Sequence, residues 1–265
     1  MTTLQQHFGF TTQPFPRVPS DEAILHHRGL EEVLARLRFA LERDTIALLV
    51  AESGCGKSTA LSLFAKSLDA SNYHLVVLSL TTLSPFSLLS GIATSIGLKP
   101  RRFKGETAAA LIGHLRALPR RTVLLIDEAH LLPDNSLEDL RLLTADDFDR
   151  RSPFTMVLCG QPLLRDRLSE PRHWALAQRI GVRIRLRPLT EAEVGLFLSL
   201  HLKAAGSAKP TFDPQTVAAI FQHTRGIPRL VQNLALASAL AALNSGTDTI
   251  DFLAVQQAVM DLEDL

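Results

Sequence analysis

The run Ala51-Glu52-Ser53-Gly54-Cys55-Gly56-Lys57-Ser58-Thr59 joins residue types that together bind a polyphosphate. Two closely spaced glycines permit a tight loop whose backbone N–H groups converge on an anion. A lysine directly after the second glycine reaches terminal phosphates, and the next hydroxyl, on Ser58, is a Mg²⁺ ligand. Glu52, Ser53, Gly54, Cys55, Gly56, Lys57, Ser58 and Thr59 are therefore the expected cradle, with ATP and Mg²⁺ as its occupants. Ala51 stands where such loops usually begin with glycine. The position closes the preceding strand, away from the phosphates, so a methyl group is tolerated there. A second run, Val123-Leu124-Leu125-Ile126-Asp127-Glu128-Ala129-His130, ends four apolar residues in two carboxylates. Asp127 is the expected partner of Ser58 at the metal. Glu128 is the expected general base, or water-positioning residue, for attack on the γ-phosphate. His130 either steers Glu128 or is a plain loop histidine. Gln161 is either a sensor of the γ-phosphate or an ordinary turn residue.

Such chemistry needs rigid elements to aim it. Thr45–Ala51 is a short apolar run, as expected for a strand buried on both faces, and a helical segment follows at Lys57–Leu68. His74–Leu80, Thr122–Ile126, Phe154–Cys159 and Ile180–Leu186 read as four more strands. Helical patterns lie at 28–44, 85–96 and 106–118. Strands alternating with helices predict an α/β fold with a five-stranded parallel sheet covered on both sides. The pattern changes after Pro188. Thr190-Glu191-Ala192-Glu193 fits a capping box, Asp213-Pro214 an N-cap followed by proline, and Asp251 opens a last helix. An all-helical domain is expected over 189–265, and a nucleotide-binding domain over 1–188. The Pro- and Phe-rich residues 1–27 are expected as an extended arm packed on the body.

Composition narrows the class. The chain has 265 residues, 46% hydrophobic and 21% charged, enough to build a full core. Lys and Arg total 28 against 27 Asp and Glu, which excludes a globally polyanion-binding charge. No apolar run approaches a membrane span, and no secretory leader is evident, so a cytoplasmic setting is expected. Cys55 and Cys159 are the only cysteines, too few for a structural zinc site or a disulfide framework.

Taken together, these runs resemble those of AAA+ ATPases, and more narrowly of the ExeA/TnsC/TniB group. The carriers are His7-Phe8-Gly9-Phe10 with Pro14-Phe15, the glycine-rich loop, LLIDEAH at 124–130, CGQPLLRDRL at 159–168, AQRI at 177–180, RLRPLT at 185–190 and GIPRLVQNLA at 226–235. The resemblance implies two further arginines. Arg229 matches the lid position that contacts the γ-phosphate of its own subunit. Arg179 matches the place from which this group offers an arginine finger to a neighbour, a contribution worth about 10³–10⁵ in rate elsewhere. It also implies loops that follow a DNA backbone. The densest basic run is Lys99-Pro100-Arg101-Arg102-Phe103-Lys104, with Arg120 and Arg121 as a second cluster. Lys99, Arg101, Arg102, Lys104 and Arg121 are thus the expected phosphate contacts, sequence-independent and salt-sensitive.

The function this resemblance implies is regulation of DNA transposition, MuB-like in role. The protein would bind ATP, assemble into a ring or helical filament on double-stranded DNA, recruit a transposase with or without a target selector, and disassemble on hydrolysis. ExeA-like secretion ATPases continue into a membrane span and a cell-wall-binding region. This sequence ends at Leu265, which favours transposition and no membrane. A secretion-linked ATPase and a poorly hydrolysing nucleotide-gated scaffold are the alternatives.

Overall fold

Five apolar runs form one parallel sheet in the order β2-β3-β4-β1-β5: β1 (Ile46–Val50), β2 (Tyr73–Leu78), β3 (Arg121–Ile126), β4 (Phe154–Gly160) and β5 (Ile180–Arg185). Each strand lies within two residues of its expected place. The structure is a computed structural model, described for residues 4–79, 84–144, 152, 154–207 and 212–263; Leu80, expected to end the second strand, lies outside them. β1, β3 and β4 are buried along their apolar lengths because both faces of a parallel sheet are covered. Alternation sends Leu48, Leu124, Met156 and Leu158 to one face. There they meet Leu88, Leu89 and Ile92 of α1 (Pro85–Ser95), Leu111 and Leu115 of α2 (Lys104–Ala117), and Leu137 and Leu140 of α3 (Asp134–Leu143).

β4 lies between β3 and β1, in register Ile126↔Leu158 and Val50↔Gly160. The three strand ends that carry Asp127, Gln161 and the glycine-rich loop are therefore neighbours. The Ala51 N–H donates to the Gly160 carbonyl at 3.1 Å, extending that alignment one residue into the loop.

The chain divides into two compact units. One is Gly29–Leu186; the other is made of the segments before and after it. The helices of the second unit obey their caps. Thr190 and Glu193 form the reciprocal capping box of Glu191–Ala204, Asp213 caps Pro214–Thr224, and Asp251 caps Phe252–Glu263. The N-terminal segment departs from expectation. It contains the short helix Leu4–Phe8 and packs with the C-terminal helices. Phe10 and Phe15 are buried beside Leu189, Val194, Phe197, Leu198 and Leu202. The Thr11 N–H and hydroxyl both donate to the Ala205 carbonyl. Two buried phenylalanines are worth more than any local preference of this Pro-rich stretch, and their partners are distant in sequence.

His201 sits in the same cluster, its ring 4.3 Å from that of Phe197 and 5.5 Å from that of Phe15. Neither ring nitrogen has a hydrogen-bond partner among the described residues. Burial lowers its pKa from 6.5 to about 4. The folded unit therefore resists a proton that the unfolded chain accepts. This part of the stability is complete above the unfolded value and is lost as pH falls from 6.5 toward 4. At about pH 5 the loss is about 2 kcal/mol. Urea titrations near pH 8 and pH 5 should show His201→Leu removing most of that acid sensitivity from the helical unit.

Candidate nucleotide site

The loop after β1 turns on two glycines with positive φ, Gly54 (81°) and Gly56 (95°), a region that side chains with a Cβ rarely adopt. Gly56 is the N-cap of the helix Lys57–Lys66, so that helix points its unpaired N–H groups and positive dipole end at the loop. Lys57 is buried at 6% exposure. Its ammonium donates to the Ala51 carbonyl (3.0 Å) and the Glu52 carbonyl (3.1 Å), folding the side chain back over the loop it follows. A buried cation held by neutral carbonyls is a favourable counter-charge for a polyphosphate.

The Ser58 hydroxyl donates to Asp127 Oδ2 at 3.2 Å. A hydroxyl and a carboxylate in contact at the head of a helix form an all-oxygen pair suited to Mg²⁺, so the residues present fit that ion. Among the described residues no cluster of three or more His, Cys, Asp or Glu side chains forms a separate metal site. Asp127 Oδ1 accepts the Glu128 N–H at 2.8 Å. That bond fixes the turn after β3 and leaves Glu128 in the left-handed region at φ 51°, an uncommon setting for a non-glycine residue. Its carboxylate is 40% exposed and lies 3.2 Å from Nδ1 of the buried His130. His130 is thus a neighbour of the candidate base and not a free loop histidine. Gln161 begins the helix Pro162–Leu168, and its backbone N–H approaches the same Nδ1 at 3.5 Å.

The turn is clamped from behind. Arg167 donates to the His130 carbonyl at 2.7 Å and pairs with Asp134, which also accepts from Arg172 and His173. Hydrogen bonds from Arg167, then from His173, hold the Asp134 carboxyl below its ordinary value. Sequence spacing could not reveal this clamp, because its members come from three separate segments. The two thiols are inert: burial raises both, and the nearby Asp127 carboxylate raises Cys159 further.

Other expected residues lie elsewhere. Arg179 ends the helix Trp174–Arg179 and donates to the Arg141 carbonyl (3.3 Å) and the Thr144 hydroxyl (3.2 Å). Arg229 is the second residue of the helix Pro228–Ser245 and is exposed. Of the basic residues, Lys99, Arg101 and Arg102 are exposed on the loop before α2, with the Arg102 guanidinium 5.6 Å from the centroid of the exposed Phe103 ring. Two of the expected phosphate contacts are also paired within the chain. Lys104 is paired at 2.6 Å with the buried Asp139 of α3, so it ties two helices together. Arg121 pairs with Asp44, donates to the Leu41 carbonyl and lies over Tyr73, at the opposite end of β3 from Asp127. Sequence reading counts basic residues without seeing which ones are already neutralised.

Residues 40–168 match the AAA domain family. The chain is 32% identical over 253 residues to General secretion pathway protein A of Aeromonas hydrophila, covering 92% of this chain and 46% of that protein. The chain carries an AAA domain. The chain is also 32% identical over 114 residues to Mu-like prophage FluMu DNA transposition protein B of Haemophilus influenzae, covering 42% of this chain and 38% of that protein. The chain thus spans less than half the length of these curated relatives. The Aeropyrum pernix ORC1 protein, solved in complex with DNA, shares the AAA+ fold with TM-score 0.68 at 20% identity, covering 93% of this chain and 68% of that one. Among the described residues, no helix is long and apolar enough to cross a membrane.

Proposed function

We propose that this AAA+ protein is an ATP-dependent regulator of DNA transposition. It would hydrolyse ATP, coat double-stranded DNA as a ring or filament in the cytoplasm, and bring a transposase, with or without a target selector, to the coated site. The observation that carries the nucleotide half is the contact of Ser58 with Asp127 beside the buried Lys57 and the exposed carboxylate of Glu128. Lys57 would bind terminal phosphates, and Ser58 and Asp127 would hold Mg²⁺, which when bound neutralises developing phosphate charge. Glu128 would orient water and take its proton. Thr59 and the loop N–H groups complete the cradle. Arg229 is proposed as a contact for the terminal phosphate. Arg179 is proposed as a finger toward a neighbouring subunit, a role that requires it to exchange the Arg141 carbonyl and Thr144 hydroxyl for phosphate.

The DNA half is supported by the exposed Lys99, Arg101 and Arg102 beside an exposed aromatic, and by the likeness to a DNA transposition protein. Few charges per subunit mean that affinity must come from many subunits on one duplex. Duplex binding with a non-hydrolysable ATP analogue should weaken as salt rises. Replacing Lys99, Arg101 and Arg102 together with Ala should weaken it at least ten-fold and flatten the slope of log K against log salt. An unchanged slope removes these residues from the DNA path. The likeness to General secretion pathway protein A, over 92% of the chain, favours a second reading: a secretion-associated ATPase. That reading gains if ATP is hydrolysed while duplex is ignored even at low salt.

A further inference from the structure

One nitrogen in the site has two claimants. His130 Nδ1 lies 3.2 Å from Glu128 Oε2, a contact that needs a proton on that nitrogen. The backbone N–H of Gln161 reaches the same atom at 3.5 Å, a contact that needs a bare lone pair. A neutral imidazole cannot satisfy both, because the tautomer that donates to one partner refuses the other.

The surroundings hold the ring between these choices. The His130 carbonyl is pinned by Arg167, itself locked to Asp134. Gly160 sits so close that a Cβ there would lie 3.3 Å from Nδ1 and 3.2 Å from the His130 nitrogen. The end of β4 therefore lies close beside the ring on the side of Gln161, with room for a glycine and not for a larger residue, while Glu128 faces it from the turn after β3.

We infer that His130 is a positioning residue that couples the segment after β4 to Glu128 by exchanging its Nδ1 proton state. With the proton on Nδ1, the imidazole holds the Glu128 carboxylate. With the proton on Nε2, Nδ1 accepts the Gln161 N–H and the carboxylate is released to water. A shift of Gln161 thereby alters what Glu128 is bound to, with no direct contact between the two. The inference deepens the proposed ATPase reading and rests on it for its catalytic consequence, but the proton exchange itself does not require hydrolysis.

The test reads the tautomer directly, by nitrogen-15 NMR of the full chain labelled at histidine, at about pH 8, where histidines are mostly neutral. Glu128→Ala should move the His130 balance toward a bare Nδ1. Gly160→Ala, which pushes the ring away from Gln161, should move it the other way. Each shift should be about three-fold or more, the worth of one hydrogen bond. Shifts in the same direction, or none, overturn the inference. If Gly160→Ala does not fold, the response to Glu128→Ala decides alone. In hydrolysis assays, His130→Phe should lower kcat about ten-fold with KM unchanged. His130→Asn, which keeps an amide near the Nδ1 position, should recover most of it. Wild-type rates in His130→Phe also overturn the inference. Opposed tautomer shifts in a wild-type chain that never hydrolyses ATP would instead sink the ATPase reading and leave the coupling standing.

Discussion

Lys57→Ala is expected to lose measurable ATP binding while the chain remains folded. The ammonium is buried, and its partners are the carbonyls of Ala51 and Glu52 on the loop itself. Its removal deletes a cation from the loop and leaves two carbonyls short of a donor. Losing the ion pair that the ammonium would make with a bound phosphate costs about 2–5 kcal/mol, roughly thirty-fold or more in Kd. Calorimetry with ATP and Mg²⁺ checks the affinity, and circular dichroism checks the fold. Wild-type affinity in the variant would remove the loop from the nucleotide site.

Glu128→Gln should separate binding from hydrolysis. The amide keeps the size of the side chain and the left-handed turn at φ 51°, and leaves the Ser58–Asp127 pair untouched. What it loses is the capacity to accept a proton from attacking water, a contribution of about 10²–10⁴ in rate. Nucleotide affinity should stay within a few-fold of wild type. Any assembly that needs bound ATP should persist longer in this variant, read by sedimentation in the presence of ATP. Undiminished turnover would take the base role from Glu128.

Much of this site was legible in the residues because its parts are local. A glycine pair before Lys-Ser, and an apolar run closing in Asp-Glu, state their chemistry within nine residues each. The three inner strands were legible for a related reason: burial on both faces writes continuous apolar runs that no exposed helix would carry, whereas the edge strand β5 shows itself by alternation. What stayed hidden was pairing across distance. Lys104 and Asp139, Arg121 and Asp44, and Arg167 with His130 and Asp134 are 33 or more residues apart or lie on separate elements, and no spacing rule joins them. The N-terminal segment shows the same limit. Its phenylalanines announced a need for burial, but that their hosts would be Val194, Phe197 and Leu202 was decided by tertiary packing alone.

That last arrangement has a bearing on how the protein is made. The cluster around Phe10 and Phe15 also contains Val255 and Ala258, so its members flank the sheet-bearing unit in sequence. A ribosome delivers the first of them well before the last. The sheet-bearing unit lies between and can close on its own as it emerges, since domains fold as units. Phe10 and Phe15 must wait for their hosts until the helices after Leu186 arrive. The nucleotide cradle is therefore expected to assemble before the helical unit, and removing those helices would strand the two rings while leaving the cradle intact.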